Sequence, residues 1–197
     1  MIAAIPAALI ELGFSEFLFS WLGKSIFTTI FYIFIGIALV EEVLKYLVVR
    51  GKVLNDPEFD EPVDAMLYMI IAALGFVALE NLLIFLSPKV FLLPIGETIT
   101  LAGFRFISAT FLHALCSGMV GFFLALSFFE TKKRNIYLAS GLTLAIILHG
   151  LYNFYIIKIE ESLSFIIIPI IILIGLAIFV SLGFKKLKKL ESVCKIS

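Results

Sequence analysis

The sequence predicts an all-α protein, a polytopic transmembrane helical bundle with five to six membrane helices. Three observations predict it. Of its 197 residues, 62% are apolar and only 15% are charged, and the mean hydropathy is +1.15, a balance foreign to a water-soluble domain. Apolar runs of about 18 residues or more recur along the whole length, each long enough to cross a hydrocarbon layer of about 30 Å as a helix. Short segments rich in Pro, Gly, Asp and Lys separate these runs.

Residues 2 to 22 are the weakest candidate, because Glu11, Gly13 and Glu16 interrupt them; a short helix followed by an interfacial segment with Trp21 is expected there. A helix over 26 to 49 follows, and it contains ALVEEVLKYLVV (38 to 49). The segment GKVLNDPEFDEP (51 to 62) is acidic with two prolines and reads as a solvated turn. The third apolar helix covers 64 to 87, and SPKVFLLPIGET (87 to 98) breaks the chain with two prolines and a glycine. Helices over 106 to 129, 136 to 157 and 164 to 184 complete the set, with ETKKRN (130 to 135) as a tight basic turn. No repeat, low-complexity tract or soluble domain interrupts them, so 1 to 197 reads as one domain whose chemistry is built from the helices.

Fifteen basic residues balance fifteen acidic ones, which argues against nucleic acid as a partner. Cys116 and Cys194 offer no disulfide framework, and Cys116 reads as core. Orientation follows from the lysines and arginines of the short loops. One side carries Arg50, Lys52, Lys132, Lys133, Arg134, Lys185, Lys186, Lys188, Lys189 and Lys195; the other carries Lys24, Lys89, Arg105 and Lys158. The first side is expected to be cytoplasmic, giving a multi-pass protein of the cell membrane. Its basic tail (185 to 197) then lies inside, against the anionic headgroups of the lipid bilayer.

Loops do not explain Glu41, Glu42, Lys45, Glu80, His113 and His149, which fall inside the helices with Asn81 and Asn153 as polar companions. A charged group near the bilayer centre costs about 2.5 to 3.5 kcal/mol, so several together imply a function. Glu41 and Lys45 are i,i+4 neighbours and Glu42 and Lys45 i,i+3, so the lysine can neutralise one carboxylate and leave the other free. His149 and Asn153 in HGLYN share a face at i,i+4, as do Phe76 and Glu80 in FVALE. Carboxylate, imidazole and amide together form a hydrolytic kit. Counting residues from the helix ends puts Glu80, His113 and His149 about 10 to 12 Å below the outer surface. Glu41 joins that level if its helix crosses from near Phe34 to about Val53, with the residues before it lying shallow.

These motifs resemble the PrsW-type intramembrane proteases, relatives of the CAAX-type prenyl endopeptidases. The resemblance rests on EEVLK (41 to 45), FVALEN (76 to 81), HALCSGMVG (113 to 121) and HGLYN (149 to 153), with FDEPVDAMLY (59 to 68) and Arg105 as further points of likeness. It covers about residues 36 to 155, the expected catalytic core. Glu80 stands where CAAX-type relatives usually carry histidine, which is typical of the PrsW branch. The resemblance implies an endopeptidase that cleaves a membrane-anchored protein near the outer leaflet, with an anti-sigma factor as the substrate type. One of Glu41 and Glu42 would activate water. His149 and Asn153 would donate to the oxyanion, and His113 and Glu80 would complete the water site or protonate the leaving amine. Lys45, Phe76, Asn81 and Arg105 would support them.

A second version places zinc on Glu80, His113 and His149, with Glu41 as base. HExxH is absent, so the metal-free glutamate mechanism, without a cofactor, is preferred. Two other classes remain: a proton-coupled small transporter using the same ionisable residues as a relay, and a non-catalytic protein that binds membrane partners.

Overall fold

The computed structural model describes residues 3–54, 56, 58–159 and 161–190. Cys194, Lys195 and the end of the basic tail lie outside the described residues. Among the described residues there are no strands, and six helices are long and apolar enough to cross a membrane. The chain is a multi-pass membrane protein. We label the helices α1 (Ala4–Leu22), α2 (Ile26–Lys52), α3 (Pro62–Phe85), α4 (Ile95–Phe129), α5 (Arg134–Lys158) and α6 (Ile167–Leu187).

Three helices correct the sequence reading. The first region is one continuous helix with Trp21 in its last turn, because Glu11 and Glu16 are helix-tolerant and Ser15 and Ser20 return their hydroxyls to Leu12 O and Phe17 O. It stops at Gly23, whose φ of 68° only glycine adopts readily and whose N–H caps Phe19 O. The second helix has no break near Phe34; instead, residues Tyr32–Leu39 widen into a π-helical stretch that ends just before the paired glutamates. Such wide turns cluster at functional sites. The fourth helix begins at Ile95, not 106. No proline follows Pro94 in this stretch, and Thr98, Thr100 and Ser108 bond back to the carbonyls of Pro94, Gly96 and Phe104, so hydroxyls that dilute the apolar signal do not break the helix.

The acidic segment before α3 has a local structural role. Pro62 takes the first helical position, and Asp64 accepts the N–H groups of Asp60 and Glu61 at 3.2 and 2.9 Å. These bonds satisfy backbone donors at the helix start.

The core centres on α4, which buries Leu112, Cys116, Val120 and Leu124 against α3, α5 and α6. Gly121 sets the α3–α4 distance: a Cβ placed there would lie 2.6 Å from both Ala65 O and Met66 Cα, which are backbone atoms. Gly121→Ala must therefore push two helices apart. It is expected to destabilise the bundle by about 1 to 3 kcal/mol, read as a lower unfolding midpoint in detergent. An unchanged midpoint would contradict the close contact.

Candidate active site

The site begins where the π-helical stretch of α2 returns to regular α-helix. Glu41, Glu42 and Lys45 all point inward there; Glu42 is 0% and Lys45 1% exposed. Lys45 Nζ donates to Glu42 Oε1 at 2.8 Å and to Glu41 Oε2 at 3.2 Å, and it lies 4.6 Å from the centre of the Phe76 ring on α3. An ammonium this deep persists because two carboxylates and an aromatic face replace its water.

Two other helices bring the histidines onto the same carboxylates. From α5, His149 Nδ1 lies 2.9 Å from Glu42 Oε1, and its Nε2 lies 3.9 Å from Glu41 Oε2. From α4, His113 Nδ1 lies 2.7 Å from Lys45 Nζ and 3.5 Å from Glu41 Oε2. Its Nε2 faces Glu80 Oε2 at 3.2 Å, and its ring stacks on Phe76. The two imidazoles meet edge to face at 5.0 Å.

Partner chemistry assigns the ring protons. A carboxylate only accepts, so His149 Nδ1 donates to Glu42 and the ring turns Nε2 toward Glu41. An ammonium only donates, so His113 Nδ1 accepts from Lys45 and the ring proton sits on Nε2, toward Glu80. Glu80 is in turn held by Arg105, whose Nη2 donates to Oε1 at 2.7 Å while Nε donates to Asn81 Oδ1 at 3.0 Å.

A cavity of about 360 Å³ opens beside this network, lined by Glu41, Glu80, Arg105, His113, His149 and Asn153. Glu42, Lys45, Phe76 and Asn81 stand behind that lining. All ten residues singled out in the sequence thus fall in one neighbourhood. The paired glutamates part company here: Glu41 reaches the cavity, whereas Glu42 is sealed behind it. The cavity extends along Ile84, Leu101, Phe104 and Ile157, toward the end of the bundle opposite the basic loops.

Three further polar side chains line the cavity that the sequence reading did not assign to the site: Glu11, Ser108 and Tyr152. Tyr152 lies three residues after His149, a spacing legible in HGLYN. Glu11 had no such signal, since only packing brings α1 over the π-helical stretch.

For a metal, the converging donors are Glu41, His113 and His149, whose ligand atoms all lie within 4.8 Å of one another. This set differs from the Glu80, His113, His149 trio expected from the sequence. Glu80 instead meets the far nitrogen of His113 and is held by Arg105.

The sequence model of a family described as "PrsW family intramembrane metalloprotease" matches residues 1–183. Among curated proteins, the chain is 36% identical over 128 residues to Protease PrsW of Geobacillus kaustophilus, covering 65% of this chain and 53% of that protein. It is 32% identical over 143 residues to Protease PrsW of Oceanobacillus iheyensis, covering 72% and 61%. To Protease PrsW of Bacillus subtilis it is 27% identical over 161 residues, covering 81% and 67%. The match therefore spans little more than half the length of the first of these relatives. No solved structure matches the chain.

Proposed function

This chain belongs to the PrsW family, and on that premise we propose that it is an intramembrane endopeptidase that hydrolyses a membrane-anchored protein with Glu41 as the base. One observation carries the assignment: of the two glutamates, only Glu41 lines the cavity, where it faces Nε2 of His149 at 3.9 Å. Two polar groups at that distance can share one water, which supports Glu41 as the base that activates it. Glu41 takes a proton from this water as its oxygen adds to the scissile carbonyl carbon. The same proton then passes to the leaving amine as the C–N bond breaks. Asn153, with no side-chain hydrogen bond of its own among the described residues, donates to the oxyanion, a contribution worth about 3 to 4 kcal/mol. Glu42 orients His149, and Lys45 balances the carboxylates.

The direction in which the cavity extends supports cleavage near the outer leaflet, with the basic loops and the C-terminus in the cytoplasm. A single-pass anti-sigma factor is the substrate type that the family resemblance implies.

A metal-dependent version has its own support. A carboxylate and two imidazoles form a donor set suited to catalytic zinc, and Glu42 and Glu80 stand behind the imidazoles as orienting carboxylates commonly do. A zinc ion held by Glu41, His113 and His149 would supply Lewis acidity to a water or carbonyl. Lys45 weighs against it, because its ammonium already engages His113 Nδ1 and Glu41 Oε2.

Purified protein in liposomes is expected to cleave a single-pass reporter, to keep that activity in chelator and to hold no stoichiometric metal. Zinc lost together with cleavage would overturn the metal-free mechanism. Ion flux without cleavage would favour the transporter.

A further inference from the structure

Most donors around this site are already engaged. His149 Nδ1 donates to Glu42, Lys45 donates to Glu41 and Glu42, and Arg105 spends Nε on Asn81 and Nη2 on Glu80, so the Asn153 amide is a donor that faces the cavity without such a commitment among the described residues. One residue before Asn153 stands Tyr152, which lines the same cavity and is 3% exposed. Among the described residues its hydroxyl makes no hydrogen bond. Ser108, the polar side chain that it faces on α4, donates its own hydroxyl to Phe104 O at 2.7 Å and lies outside hydrogen-bond geometry with the phenol. Buried tyrosine hydroxyls normally find a partner, so a phenol left without one inside a catalytic cavity is available to something that enters it.

His149, Tyr152 and Asn153 occupy positions i, i+3 and i+4 of α5, on one face. A carbonyl attacked by water held at His149 is therefore within reach of the next turn of the same helix. We propose that Tyr152 is a catalytic residue whose hydroxyl donates, beside Asn153, to the oxyanion formed from the scissile carbonyl. This assignment rests on the peptidase reading above. The phenol transfers no proton; its hydrogen bond strengthens as charge develops on the oxygen and relaxes when the C–N bond breaks and the carbonyl re-forms.

The test compares wild type, Tyr152→Phe and Glu41→Gln in liposomes with a single-pass reporter, alongside unfolding in detergent. Tyr152→Phe is expected to lower kcat by about 10² to 10³-fold with KM little changed. Its unfolding midpoint should stay at or above that of the wild type, since no intramolecular bond is lost. A wild-type kcat in the variant, or a raised KM at constant kcat, overturns the inference. A midpoint several degrees lower also overturns it, because the hydroxyl would then have a structural partner. If the wild type cleaves nothing, the peptidase reading falls and takes this inference with it; an active wild type with an unaffected variant sinks the inference alone.

Discussion

Glu41→Gln is expected to reduce reporter cleavage by about 10² to 10⁴-fold while leaving the protein folded, the loss typical of removing a positioned general base. The amide is isosteric and can still accept from Lys45, which lies 3.2 Å from Glu41 Oε2, so the change removes proton-accepting capacity and little else. Glu42→Gln should behave differently. Glu42 Oε1 holds both Lys45 and His149, so the substitution loosens the imidazole and weakens a fully buried ion pair. Its activity loss should come with a lower unfolding midpoint, whereas that of Glu41→Gln should not. Cleavage by Glu41→Gln at the wild-type rate would remove Glu41 from the role of base.

Lys45→Met is expected to cost about 3 to 5 kcal/mol of stability, as breaking one side of a buried pair does. The methionine fills a similar volume against Phe76, but it leaves Glu42 inside the bundle without its ammonium, next to a second carboxylate. Combining it with Glu42→Gln should recover part of the loss, because the residual charge is removed along with its partner; a double-mutant cycle in detergent measures that coupling. Added zinc offers a second reading of the same variant. If Glu41, His113 and His149 hold a dication, zinc should restore the midpoint of Lys45→Met more than that of the wild type. A wild-type midpoint for Lys45→Met without metal would show that the ion pair does not support the fold.

Most of the architecture was legible because lipid imposes a coarse rule. Runs long enough to span stood out, and prolines and charges separated them. The rule faltered where polar residues are satisfied within the helix itself. The hydroxyls of Thr98, Thr100 and Ser108 bond back one turn, so α4 starts at Ile95 despite a diluted apolar signal. In the first region, two glutamates and a glycine suggested a break that α1 does not contain.

The candidate site residues were legible for a related reason. Glu41, Glu42, Lys45, Glu80, His113 and His149 are expensive in a membrane, and their spacing along each helix was open to inspection. Glu11 and Tyr152 were harder to find. A glutamate on α1 belongs to the cavity only if α1 covers it, and the spacing of Tyr152 from His149 gains meaning only once its hydroxyl is found without a hydrogen bond among the described residues.

By itself the sequence determined a helical membrane bundle, a set of intramembrane ionisable residues and the faces that they share within each helix, since spans and i,i+4 neighbours are local properties. Only the tertiary structure decided which glutamate reaches the cavity, which nitrogen each histidine presents and which three donors converge. Those outcomes depend on how α2, α4 and α5 rotate against one another. Lys45 lies within one helical turn of both carboxylates, so no local rule separates them; the π-helical stretch before Glu41 and the approach of His149 to Glu42 do.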